Sequence, residues 1–212
     1  MIAVLKREFK SYFQSVTGWL FVALLMALFG LYFYVYNLRQ GYPYIYSTLS
    51  AITIVFMLAV PVLTMRSFAE ERKSKTDQLM LTAPVPIGKI VLGKYLAMAA
   101  VFTIDMLIFC IAPLVLRAFG TVPLGENYIA ILAFWLYGCA SIAVGMFISA
   151  LTESQVIAAV LTFILLFISY MMTGITGLIS ADGNILTKIL NCLDLYAPFE
   201  KFSGGCLDIT SI

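Results

Sequence analysis

The chain has 212 residues, 62% of them hydrophobic and 11% charged, with a net charge of +2. Soluble domains carry about 25% charged residues, so the composition excludes an ordinary soluble domain and predicts an all-α, polytopic transmembrane helix bundle. The chain has no histidine, which removes Ser-His-Asp and Cys-His catalysis, HExxH zinc sites and the usual haem ligands. No catalytic residue and no metal site is expected. No cluster of basic residues with interleaved aromatics points to nucleic acid.

Ile2, Leu5, Phe9, Phe13 and Val16 recur with a period near 3.6, while Lys6, Arg7, Lys10 and Gln14 fill much of the remainder. This predicts an amphipathic basic helix over residues 1–16, suited to lying among lipid headgroups. The alternative is a plain extension of the first span. The charge-free run from Ser11 to Leu38 is too long for the apolar region of a cleavable signal peptide, and no small-x-small site follows it.

A spanning helix needs about 20 apolar residues. Five segments qualify: Gly18–Tyr36, Ile45–Met65, Tyr95–Leu116, Tyr128–Ala150 and Gln155–Ile179. The apolar runs are continuous and do not alternate, which argues against a strand barrel.

One charged interruption, Arg66–Lys94, holds nine of the 24 charged residues. Within it Ser67–Leu81 reads as a helix, with Glu71 four residues before Lys75 in the favourable order for an ion pair and Glu70 three before Lys73. Pro84 and Pro86 end it, and Ile87 restarts a helical pattern that becomes the third span. The expected loop, residues 66–88, is a charged helix, a proline break and a re-entry.

Lys and Arg number nine on the side that holds the N-terminus and four on the other. The positive-inside rule then makes the N-terminal side cytoplasmic. Trp19 at one edge of the first span and Tyr32, Tyr34 and Tyr36 at the other suit interfacial aromatic belts. Five spans put residues 180–212 outside as a tail. In the tail, Ile185, Leu186, Ile189, Leu190 and Leu193 fall at helical spacing, which is either a short helix on the outer face or ordinary packing under a loop.

Asp105 is the only ionisable residue deep in a span, where a carboxylate is costly unless neutralised or paired. Lys94 shares its face but stands about 16 Å away along the helix. Protonation is expected, or a hydrogen bond to Ser141, Thr162 or Ser169 of another span. The functional alternative is a substrate-path or proton-relay residue. Pro61 and Pro113 are hinge candidates inside spans, with static kinks as the plainer reading. Gly138, Ser141 and Gly145 suggest close helix contact, whereas Gly174 and Gly177 mark the exit of the fifth span. Cys110 and Cys139 are packing residues. Cys192 and Cys206 can form a disulfide if the tail meets an oxidising compartment; two independent thiols are the alternative.

Glu70-Glu71-Arg72-Lys73, Thr76, Leu79, Leu81-Thr82-x-Pro84-Val85 and Ile90-Val91-Leu92-Gly93-Lys94 together resemble the pattern of type-two ABC transporter permeases. Met65-Arg66-Ser67-Phe68, and Leu5-Lys6-Arg7-Glu8 leading into Phe9, Tyr12 and Phe13, are similar to the gliding-motility and copper-processing permeases. The resemblance covers nearly the whole chain. It implies an ATP-driven exporter of the bacterial inner membrane whose ATPase is a separate cytoplasmic chain, working as a homodimer or heterodimer of permeases in membrane lipid. It makes the N-terminal helix, with Lys6, Arg7, Phe9 and Phe13, a connecting helix. It makes Glu70–Leu81 a coupling helix, with Arg66, Phe68, Glu70, Glu71, Arg72 and Leu79 as ATPase-coupling residues and Glu153 a smaller contact. The chain has no Gly-x-x-x-x-Gly-Lys-Ser/Thr loop, so ATP and Mg would be bound by the partner and no cofactor by this chain. The family typically has six spans, and Ile212 falls about where a sixth would begin. A membrane scaffold that docks a partner without transport, and a proton-coupled transporter using Asp105, are the competing functions.

Overall fold

The structure, a computed structural model, describes residues 2–73, 86–179, 195–196 and 199. All regular structure among them is helical. Helix α1, Ile2–Gln14, ends where Ser15 turns extended (φ −98°, ψ 156°) and starts α2, Val16–Tyr32. Helix α2 widens into a π-helical stretch, Phe33–Arg39. Then come α3, Tyr46–Thr64, the short α4, Ala69–Lys73, and α5, Ile87–Phe109. Helices α6, Ala112–Phe119, α7, Leu124–Leu151, and α8, Gln155–Ile179, complete the described chain.

Among the described residues, five helical stretches are long and apolar enough to cross a bilayer: Val16–Arg39, Tyr46–Thr64, Ile87–Phe119, Leu124–Leu151 and Gln155–Met172. They correspond to the five expected spans, with corrected ends. The first runs on to Arg39, because the π-helical stretch keeps the backbone bonded past Tyr36. The third helix starts at Ile87, where the helical pattern is expected to restart, ahead of the apolar run from Tyr95; Pro86 suits the position just before a helix, where no backbone N–H is needed. It breaks at Cys110–Ile111, one turn before Pro113. Proline lacks the N–H that would bond the Phe109 carbonyl, and its ring crowds that carbonyl. By contrast Pro61 sits inside an unbroken α3, and its own carbonyl accepts a hydrogen bond from Met65 N at 2.8 Å.

Helix α3 is the centre of the bundle, with α2, α7 and α8 packed on it. About 61% of its span is buried, against 22% for the first and fifth spans, which present most of their apolar surface outward. Phe56 of α3 meets Phe102 of α5 and Phe134 of α7 with ring centroids 5.2 Å apart in each case. The small residues of α7 set how closely it approaches. A Cβ on Gly145 would stand 2.5 Å from Thr64 Oγ1, and one on Gly138 would strike the Phe102 ring. Ser141, between them, turns its hydroxyl to the Tyr137 carbonyl at 2.8 Å.

Two buried asparagines fix the loop between α2 and α3. Asn37 donates to Tyr42 O and Tyr44 O and accepts from Thr48 Oγ1 at 2.6 Å. Asn127 of α7 accepts from Ile45 N at 2.8 Å and donates to Pro43 O at 3.0 Å. At the same end Tyr196 and Phe199 return to the bundle, their rings against Tyr137. Tyr196 Oη lies 3.1 Å from Ser50 Oγ. The helical spacing over Ile185–Leu193, and Cys192 and Cys206, lie outside the described residues.

Candidate functional site

The basic end of the bundle, where α1, α4, the start of α5 and the end of α7 meet, carries the charged chemistry. Helix α1 has its expected polarity. Lys6, Arg7, Lys10 and Gln14 are exposed, while Phe9 and Phe13 are half-buried. Past the break at Ser15, Gly18 packs so closely on Tyr12 that a Cβ there would strike the Tyr12 carbonyl. Trp19 Nε1 donates to Phe13 O at 2.9 Å, and the two rings meet edge to face. Tyr12, on the buried face, points its hydroxyl to Leu63 O at 3.5 Å.

Helix α1 lies against α5 at Gly93, where a Cβ would come within 3.1 Å of the Val4 side chain. This close approach brings Glu8 to the next residue, Lys94. Lys94 is 2% exposed, yet its ammonium donates to Glu71 Oε1 at 2.6 Å and to Ser67 O at 2.9 Å. Glu8 Oε1 stands 3.6 Å from the same nitrogen, and the Phe68 ring centroid lies 5.2 Å away. Arg7 closes the cluster from the exposed side, 2.8 Å from Glu8 and 3.8 Å from Glu71. Two cations and two anions thus meet across α1, α4 and α5. A lone buried ammonium would cost several kcal/mol. Here two carboxylates, a carbonyl and an aromatic face replace its water shell.

The segment between α3 and α4 is held from the other side by one hydroxyl. Ser149 Oγ, near the end of α7, accepts from Phe68 N and Ala69 N at 3.2 Å each and donates to Met65 O at 3.3 Å. Arg66 Nη1 donates to Thr17 Oγ1 at 3.1 Å, which ties the end of α3 to the start of α2.

The expected coupling residues therefore divide. Arg66, Phe68 and Glu71 join one interlocked junction with Arg7, while Arg72 and Glu153 are exposed at the same end. Leu79, and Lys75 as the expected partner of Glu71, lie outside the described residues; nothing is described of the side chain of Glu70. The helix expected over Ser67–Leu81 starts at Ala69, because residues 65–68 are bound to Ser149 and Lys94 in a non-helical turn. Sequence reasoning missed Glu8, Lys94 and Ser149. The Gly93-Lys94 pair was the available signal: a small residue beside a charge at the start of an apolar helix.

Asp105 is fully buried, and among the described residues neither carboxyl oxygen has a hydrogen-bond partner. The three expected partners are engaged elsewhere. Ser141 bonds Tyr137 O, Thr162 bonds Ala158 O at 2.7 Å, and Ser169 Oγ accepts from Leu195 N at 2.9 Å. Cys110 and Cys139 are free thiols. Among the described residues, no group of three or more His, Cys, Asp or Glu side chains could hold a metal ion.

Searches of curated proteins and of solved structures found no match. A family model described as "ABC-2 family transporter protein" matches residues 6–203, a stretch that runs from α1 through the ion cluster and all five spans. The chain belongs to the ABC-2 transporter family.

Proposed function

We propose that this chain, a membrane subunit of an ABC transporter, couples ATP hydrolysis by a separate cytoplasmic ATPase to export of a substrate. The gliding-motility and copper-processing permeases are its proposed subtype. It would work as a dimer of permease subunits in the bacterial inner membrane, with ATP and Mg held by the ATPase. The observation that carries the reading is the buried Lys94–Glu71 contact. It joins α4, the start of the proposed coupling segment, to α5, and Glu8 and Arg7 of the basic helix α1 reach the same two side chains. A displacement of α4 would then move α1 and α5 as one body, because separating the charges would leave a lysine buried without its carboxylate.

The test is purification of the tagged full-length chain from its native membranes, with nucleotide hydrolysis measured in the eluate. A co-purifying ATPase is expected. Glu153→Lys, at an exposed position outside the buried cluster, should weaken its recovery. If the wild type brings down no ATPase, the coupling reading fails and the scaffold reading gains. The cytoplasmic placement of α1 has its own check. In intact cells, with the four native cysteines replaced by serine, an impermeant maleimide should modify Arg117→Cys and spare Lys10→Cys.

A further inference from the structure

A groove of about 400 Å³ opens at the basic end between α4, α5 and α7. Ile87, Ile90 and Val91 form one wall, Met146 and Phe147 the other, and Phe68 the end. Every lining residue except Glu71 and Arg72 is apolar. Ligand sites are commonly of this size, apolar with a few placed polar groups.

The height of the groove identifies its occupant. It follows the first turn of α5 and the last turns of α7, from Ala143 to Ala150. At 1.5 Å per residue its α7 wall runs about 10 Å along the last turns of a helix long and apolar enough to cross a bilayer. Its rim residues Ile87 and Phe147 are exposed, so it opens sideways toward acyl chains. A polar solute has nothing to bond in its depth.

Charge selects the headgroup. Glu71, though in the lining, has its carboxylate on Lys94 and near Arg7. Arg72 is exposed at the rim, and among the described residues its guanidinium makes no ion pair. Lys89 is exposed on the first turn of α5. An uncompensated arginine at headgroup level above an apolar slot fits an anionic phosphodiester with an acyl chain below it.

We infer that the groove between α4, α5 and α7 binds one anionic phospholipid, its phosphate on Arg72 and an acyl chain along Phe147 and Val91. The inference requires only that the chain spans a membrane, so its failure leaves the coupling reading standing.

Native mass spectrometry of the full-length protein in detergent tests it, with titration by palmitoyl-oleoyl phosphatidylglycerol and by the matching phosphatidylcholine. One phosphatidylglycerol should bind about five-fold more tightly, the effect of one basic residue near a membrane surface. Arg72→Gln should bring the two lipids to parity, whereas Arg117→Gln, at the far end, should keep the preference. Ala143→Phe should fill the slot and abolish tight binding of both lipids. Glycerol 3-phosphate should not compete. A preference that survives Arg72→Gln, or falls equally in Arg117→Gln, overturns the inference, as does displacement by glycerol 3-phosphate. Since Arg72 is an exposed side chain, that comparison decides the matter even if Ala143→Phe fails to fold.

Discussion

Lys94 Nζ stands 2.6 Å from Glu71 Oε1, across 23 residues of chain and beneath helix α1. The contact converts a run of charged residues into a joint between three helices. Removing one partner of a buried pair costs about 3–5 kcal/mol. Lys94→Met is therefore expected to destabilise the protein by roughly 3 kcal/mol, since the Glu71 and Glu8 carboxylates would lose the buried cation that they share. Glu71→Gln should cost less, about 1–2 kcal/mol, because the ammonium retains Ser67 O and Glu8. The double variant should fall short of the sum by more than about 0.5 kcal/mol. Thermal unfolding in detergent, followed by size-exclusion chromatography, checks all three. Additive losses would show that the two side chains act independently.

The glycines of α7 give a second expectation. Gly145→Ala puts a methyl group 2.5 Å from Thr64 Oγ1, so α7 must move off α3. Overpacking of this kind costs about 1–3 kcal/mol. Gly30→Ala, on α2, meets nothing within 4 Å. It should stabilise by about 0.5–1 kcal/mol through helix propensity alone. Opposite shifts in melting temperature are expected, and equal shifts would contradict the packing of α7 on α3.

Asp105 yields a prediction against the usual direction for a buried position. Its carboxyl is fully buried, and both oxygens lack partners among the described residues. An unsatisfied buried polar group costs about 1–3 kcal/mol, so Asp105→Leu should raise stability by about 1 kcal/mol. Asp105→Lys should prevent accumulation of folded protein. If Asp105→Leu lowers the melting temperature by several degrees, the carboxyl has a partner in the assembled transporter. A stable Asp105→Leu variant that loses transport would instead favour the proton-relay role.

At the opposite end, Asn127 holds Pro43 O and Ile45 N through one amide. Asn127→Ala leaves the Ile45 N–H without this acceptor in a buried site, at a cost of about 1–3 kcal/mol. The loop at Gly41–Tyr44 should loosen first. Proteolysis within that loop should speed up at least ten-fold while the helices stay protected. Unchanged cleavage would mean that Asn37 alone fixes the loop.

Hydropathy determined the five spans, because a bilayer admits only segments that satisfy their own backbone and carry few charges. The faces of α1 were equally legible, since Lys6, Arg7 and Lys10 repeat on one side of a helical period. The close approach of α7 at Gly138 and Gly145 could be read from two small residues seven apart. The family pattern in Arg66–Lys94 was also visible in the residues themselves. What Lys94 does was not. In the sequence it is one more basic residue at the end of a span, and helical spacing directs attention to Asp105 on its own helix or to Lys75 beside Glu71. Its carboxylates come instead from α1 and α4, and only the packing of α1 at Gly93 brings them within reach. The solitude of Asp105 was likewise decided in three dimensions, because Ser141, Thr162 and Ser169 each turned to a backbone group nearby. Local periodicity is a property of the chain, whereas the partner of a buried charge depends on which helices pack together and at what depth.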